Sequence, residues 1–404
     1  MTLEIEKLTV DLTKMAAQAA ARQQARRDLV DELLETVARY AADWATIAQA
    51  LTTAEARADP KHYRAARPFA HAQPLNAGID PPNPPPQATL IAADGSQIMP
   101  DRHAAHLYYL INVGGIVYFH GDGRAPLQFT LPVLIYPQND YDEADFLLSS
   151  GKVSIARDRL EIGTLADVAW EYRGGDAPVL AILDQRLLYW PIGGPDAAPN
   201  EDVQAWLRAM LKARDAGALL AGYIDRPMTG YVVTLLRALG GLTDPGFEWT
   251  ALGKRAATGG LADAAIYGQI LRPGQRSPVF VNVSPPNARF AEFDRALEVC
   301  FFYLNPGPSQ GTIARVDIPR WVASNDTAVD HVHTLLVDQC RIMGGYPYVL
   351  ARADELAVIG HQDHQELDFL IDLNMQKHGV SGSLTAKQAS KDWARSGKTR
   401  FKGP

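Results

Sequence analysis

No run of about 18 uncharged apolar residues occurs anywhere in the 404-residue chain, so no helix is expected to cross a membrane. Only two cysteines are present, Cys300 and Cys340, and neither belongs to a Cys-x-x-Cys pair. Such sparse cysteine points to a reducing compartment and to packing roles. The first residues, MTLEIEKLTVDLTK, alternate charge with hydrophobe and lack the apolar stretch of a signal peptide, so a cytoplasmic location is expected. There is no phosphate-binding P-loop pattern, so any ATP hydrolysis must come from a partner. Excess positive charge is also missing. A formal net charge of −7 argues against a protein that coats polyanions generally, although it leaves room for a local basic channel.

What is present is enough for one large core or two moderate ones, since 47% of residues are hydrophobic. Residues 12 to 57 carry Leu29, Leu33, Val37, Tyr40, Trp44 and Leu51 at spacings near three and four, the pattern of one long amphipathic helix or two. The segment DPPNPPPQ, residues 80–87, then forces an extended connector. From Ala88 the pattern turns to strands, with Gly121-Asp122-Gly123 marking a hairpin break. Further along, strands expected at 178–190, ALLAGYID, PVFVNVS and TIARVDIP alternate with helices at 153–173, 201–214, GYVVTLLRAL, 326–341 and 347–359. That alternation predicts a mixed α/β sheet flanked by helices. The expected organisation is a helical extension with a proline-rich connector over 1–87, a core over 88–360, and a loose basic tail over 361–404.

Four acids sit where the local pattern expects a hydrophobe. Asp94 ends the run Thr89–Ala93, and Asp184 ends Val179–Leu183, a continuous apolar run of the kind found in strands covered on both faces. Glu161 shares a helical stripe with Leu165, Val168 and Tyr172, and Asp354 lies four residues from both Leu350 and Val358. A carboxylate is rarely buried unless paired or bound to metal. Four converging acids repel one another unless cations sit among them, and oxygen-only ligands favour magnesium or manganese over zinc. Two such ions clamp the attacking and leaving oxygens of a phosphodiester.

The segments LIAADGSQ, YYLINVGGIVYFHG, LAILDQRLL, LLAGYIDRPMTGYVVTLLR, TIARVDIPRWVA and GGYPYVLARADELAVI, in this order over residues 88–360, together resemble the NurA family. The resemblance implies an RNase H-like, PIWI-related core with the N-terminal helices added to it. It also implies a manganese-dependent deoxyribonuclease (magnesium being the other candidate) with two ions per site. The implied activities are 5′–3′ exonuclease and single-strand endonuclease, used in DNA end resection, repair or defence. The implied partners are DNA ends, a hexameric HerA-like ATPase and a second copy of the chain. Carried onto this sequence, the implied metal ligands are Asp94, Glu161, Asp184 and Asp354, with Tyr346 of the Tyr-Pro motif beside them in the active site. Asp354 stands where many members have histidine, and Gln185-Arg186 replaces a Gly-Ser-like pair. These departures keep open an alternative, a catalytically weak or inactive DNA-guiding subunit docked to the motor.

Arg186, Arg226 and Arg315 are candidate phosphate contacts, Arg315 having ion pairing with Asp317 as its other reading. His331 and His333, two apart on a helix, cannot share a face as a metal pair would, and are read as solvated or structural. In the tail, Lys387, Lys391, Arg395, Lys398, Arg400 and Lys402 face the single acid Asp392. A solubilising tail is the simpler reading of that segment, and a phosphate- or partner-contacting arm the other.

Overall fold

The computed structural model describes residues 8–101, 106–138, 150–189, 201–254, 259–307 and 312–380. The chain forms two compact units, one of Met1–Pro85, Asp184–Ala198 and Leu219–Tyr348, the other of Pro86–Leu183, Pro199–Ala218 and Val349–Pro404.

The first unit opens with helices α1 (Thr9–Tyr40) and α2 (Trp44–Arg57). Asp43 caps α2 by accepting from the Thr46 amide at 3.1 Å. The amphipathic pattern is realised only from Leu29 onward: residues 9–28 are exposed, whereas Leu33, Val37, Ile47, Leu51 and Ala54 enter the core. After β1 (Ala65–Pro68), the chain later returns with β6 (Leu219–Ile224), α5 (Tyr231–Gly241), α6 (Ala264–Ile270) and β7 (Phe280–Val283). The remaining elements of this unit are α7 (Pro285–Phe293), β8 (Val299–Leu304), β9 (Ala314–Pro319), α8 (Arg320–Ala323) and α9 (Asp326–Met343). Its strands pair antiparallel in the order β1-β7-β8-β9-β6. Helices α1, α2, α5 and α6 share one apolar core with Phe280, Phe301 and Tyr303 of the strands.

The second unit begins with β2 (Ala88–Ile98), β3 (Tyr109–His120) and β4 (Leu127–Ile135), an antiparallel meander. Gly121 and Gly123 both adopt φ of 74° between β3 and β4, the left-handed conformation that the Gly-Asp-Gly break foretells. Helix α3 (Ser150–Glu171) follows, then β5 (Val179–Leu183), which is buried at all five positions and pairs parallel with β2. The unit is completed by α4 (Glu201–Asp215), α10 (Tyr348–Ala357), most of whose length belongs to it, and α11 (His361–Lys377). Its strand order is β5-β2-β3-β4. Three antiparallel strands, a helix, and a strand parallel to the first make the mixed, RNase H-like arrangement expected. Arg159 on Asp202 at 2.8 Å and Lys212 on Asp167 at 2.6 Å tie α3 to α4.

Three elements differ from the sequence expectation. Strand β8, VCFFYL, is buried along its whole length, and a short apolar run of this kind has no period that tells strand from helix. Strand β1, AARP, is too short and alanine-rich to stand out. The segment expected to be loose from residue 361 is helical at its start: residues 361–377 form α11, a helix with no buried residue. The basic stretch from Lys387 to Lys402 lies outside the described residues. Among the described residues, no helix is long and apolar enough to cross a membrane.

Candidate functional site

In the second unit the site grows from the end of β2. Pairing with β5 stops at Ala93↔Leu183, while pairing with β3 runs on to Ile98↔Leu110. Asp94 is thus the first residue of β2 past its β5 partner, and Asp184 is the residue that follows Leu183 in the chain. Asp94 is half-buried, and its Oδ1 accepts from the Gly95 amide at 2.8 Å. Gly95 matters for what stands behind it. A β-carbon built there would lie 2.5 Å from Glu161 Oε1 and 2.7 Å from Arg157 Cγ. Only glycine therefore lets the α3 carboxylate come up against the β2 backbone at this point.

Glu161 is 4% exposed, as its place in the Leu165 stripe predicts. One turn earlier, Arg157 places Nε 3.1 Å from Glu161 Oε1 and Nη2 3.0 Å from Asp158 Oδ1. Burial works against its charge, but Glu161, then Asp158 and Asp94, outweigh that, and the Arg157 pKa is raised. Arg157 is a site residue that the sequence reading missed. The signal was available: an arginine at i−4 from a buried acid.

The other face of β2 receives α10. Ser96 Oγ donates to the Ala357 carbonyl, and Asn112 Nδ2 donates to the same oxygen at 2.9 Å. Ser96 and Asn112 are register partners, as are Asp94 and Gly114. Gly114 is as constrained as Gly95, because a β-carbon there would meet the Leu356–Ala357 backbone and lie 2.8 Å from the Ala353 carbonyl. The Asp-Gly-Ser motif thus has three separate duties: an acid, a gap that admits Glu161, and a cap for the helix that carries Asp354. Since strand side chains alternate, Asp94 shares the α10 face with Ser96. Asp354 itself departs from its expected setting. It is exposed, because Val349, Leu350, Ala353 and Ala357 make the buried face, whereas Val358 lies past the helix end and is 59% exposed.

In the first unit, Asp184 and Arg186 are exposed and Gln185 is half-buried. The segment after Asp184 is anchored by Asp317, whose Oδ2 accepts from the Leu187 amide at 3.2 Å. Gly222 of β6 lies directly under the Gln185 carbonyl. Arg315, expected at DNA, is instead a core residue. It is 4% exposed, pairs with Asp317 at 2.9 Å, donates to Thr229 Oγ1 at 2.9 Å, and lies over the Tyr231 and Phe301 rings. Burial works against its charge, but Asp317 more than offsets this and raises its pKa. Arg226 fits the expectation better, being exposed on the turn after β6, with φ of 47°. Tyr346 is half-buried, its ring edge-on to Tyr223 at 5.6 Å. His333 is buried with Nε2 2.7 Å from the Gly274 carbonyl, a structural histidine as read.

The donors offered are carboxylate oxygens, which suit a hard divalent cation; Glu161 stands against Gly95 on the α3 side of β2, and Asp94, one residue earlier, on the α10 side. Among the described residues, no group of three or more His, Cys, Asp or Glu side chains is arranged to enclose a metal ion.

The antiparallel β2-β3-β4 meander with β5 parallel to β2 places the second unit in the RNase H-like class of α/β folds. A model of the NurA domain matches residues 88–359, and the chain belongs to the NurA family. Among solved structures, it is similar to the NurA nuclease from Sulfolobus solfataricus, with 14% identity over 94% of this chain and 98% of that one and a TM-score of 0.50. A structure of NurA with manganese shares 10% identity over 72% of this chain and 89% of that one, with a TM-score of 0.36. No curated protein matches the chain in sequence.

Proposed function

We propose that the protein is a metal-dependent deoxyribonuclease that hydrolyses phosphodiesters at DNA ends, with both 5′–3′ exonuclease and single-strand endonuclease activity. The observation that carries this reading is the glycine gap at Gly95, which brings the Glu161 carboxylate against the backbone beside Asp94. Keeping a buried acid such as Glu161 has a stability cost that a nearby positive charge offsets.

Asp94, Glu161, Asp184 and Asp354 are the ligands, and manganese, with magnesium as substitute, is the ion that their hard oxygen donors suit, two ions per site. When bound, such ions lower the pKa of a bound water and stabilise a departing alkoxide. The chain's own contribution is to hold the acids on rigid elements, with Asp94 fixed through the Gly95 amide and Asp354 on a helix capped by Ser96 and Asn112. Tyr346 orients a water or phosphate oxygen, and Arg186 and Arg226 bind backbone phosphates. The absence of a P-loop supports a separate HerA-like translocase as the energy source, and the family supports a homodimer working in the cytoplasm in DNA end resection, repair or defence.

The test is Asp94→Asn in manganese buffer on 5′-labelled single- and double-stranded DNA. Loss of cleavage by at least a hundredfold with an unchanged melting temperature is expected. Full activity in the variant overturns the assignment.

A further inference from the structure

We propose that the first unit carries a binding pocket for a guanidinium group on a short alkyl stem, built where the end of α2, the approach to β1 and the end of β7 meet. None of its residues is among the metal ligands or phosphate contacts named above, so the pocket does not depend on the nuclease reading.

The first support is a pair of buried polar groups left over by the fold. Tyr63 and Asn282 line a cavity of about 270 Å³ and are 7% and 4% exposed. Tyr63 Oη and Asn282 Oδ1 are buried atoms with no hydrogen-bond partner among the described residues. Such atoms are costly to keep unless a ligand or water meets them. Their neighbour Asn287 shows that this corner is otherwise well paired. Its Nδ2 donates to the Asn282 and Val299 carbonyls at 2.7 and 2.9 Å, and its Oδ1 accepts from the Val299 amide at 2.7 Å. Asn282 is therefore held at its backbone by Asn287 and by pairing with Ala66, while its side chain faces the cavity.

The second support is charge. Two acids line the cavity, and they differ. Glu298 accepts from Arg320 Nε at 2.6 Å and has Arg67 3.6 Å away, so its charge is matched. Glu55 is exposed and makes no ion pair among the described residues. Burial raises the Tyr63 pKa, and Glu55 raises it further against a smaller opposing effect of Arg67. The phenol thus stays protonated in a negative local field. The third support is shape and donor count. Ala58, Pro60, Val283 and Pro285 give the cavity apolar walls, which suit a methylene stem. The unmatched groups are an amide oxygen, a phenol oxygen and a carboxylate, each an acceptor, and a guanidinium offers five donors with no acceptor.

The test titrates 1-butylguanidinium into the full-length protein by calorimetry, without metal or DNA, using wild type, Asn282→Leu and Glu55→Gln. Wild type should bind it saturably, and each variant about tenfold more weakly, because each loses an acceptor for a charged donor. Melting temperatures should stay at the wild-type value. Should Asn282→Leu melt early, Glu55→Gln decides, since Glu55 is exposed. The peptide acetyl-Gly-Arg-Gly-amide separates two sources of the group. Tighter binding than 1-butylguanidinium makes the occupant an arginine side chain of a protein, weaker binding makes it a free small molecule, and either upholds the pocket. Three results overturn it: no saturable binding of either probe by wild type, undiminished binding by the folded variants, or equal binding of 1-butanol, which keeps the stem without the charge. DNA cleavage by Glu55→Gln should match wild type, so failure here leaves the nuclease reading untouched.

Discussion

Gly95 and Glu161 are joined by an absence: the Glu161 carboxylate lies 2.5 Å from the point where a β-carbon on Gly95 would stand. Gly95→Ala should therefore push Glu161 and Arg157 outward. Overpacking of this kind costs about 1–3 kcal/mol. We expect cleavage to fall at least tenfold while a far-ultraviolet spectrum stays unchanged, measured as initial rates on a labelled oligonucleotide. A variant with wild-type rate would mean that Glu161 has no part in the chemistry.

Ser96 and Asn112 both donate to the Ala357 carbonyl at the end of α10. Ser96→Ala alone leaves one donor and should cost about 1 kcal/mol. The double substitution with Asn112→Ala leaves a helix-end carbonyl unsatisfied and should cost about 2–3 kcal/mol. Hydrogen exchange over residues 348–357 should rise in the double variant, and the activity loss should follow the exchange because Asp354 rides on that helix.

Asp317 links the core to the segment after Asp184 through Arg315 at 2.9 Å and the Leu187 amide at 3.2 Å. Asp317→Ala strands a buried guanidinium, and breaking a pair of this kind costs about 3–5 kcal/mol. Replacing both residues, Arg315→Met with Asp317→Leu, should recover much of that loss, measured by urea unfolding. Recovery would place Arg315 in the core and not at DNA.

Arg226 holds φ of 47°, a conformation that costs a non-glycine residue about 1–2 kcal/mol. Arg226→Gly should raise stability by about 1 kcal/mol. If Arg226 contacts a phosphate, the same variant should weaken DNA binding on every sequence and lower the salt dependence by about one charge. Fluorescence anisotropy at several salt concentrations reads both effects.

Elements with a clear period or a break residue were legible in the sequence. The run Val179–Leu183, bounded by Pro178 and Asp184, read as a covered strand, Glu161 fell on the buried face of its helix, and Gly121 and Gly123 marked their turn. The place of Asp354 in an apolar stripe was misread because a stripe drawn through Leu350 and Val358 assumed that the helix continues past Ala357. Arg315 was ambiguous for a physical reason: one-dimensional spacing gives a neighbouring acid and a distant phosphate equal weight, and only burial separates them. Arg157 escaped notice because a charge on an exposed helix face is usually solvated. Its meaning depends on Gly95, which is 62 residues away in sequence and in contact only after folding.

His333 supplies a pH dependence whose sign follows from its setting. Burial, with Arg276 adding repulsion, lowers its pKa from 6.5 to about 4, against smaller opposing effects of the Gly274 carbonyl and Asp80. The folded protein therefore keeps the ring neutral while the unfolded chain takes up a proton first as pH falls. Stability from this group is complete above pH 6.5, declines as pH drops toward 4, and then levels off. The gap of about 2.5 pH units corresponds to on the order of 3 kcal/mol. Carboxylates also titrate in this range, so the readout is the difference between wild type and His333→Gln in urea midpoints at pH 7, 5.5 and 4. Wild type should lose its advantage over the variant on acidification. A constant difference would mean that His333 stays unprotonated in both states or is already charged in the fold.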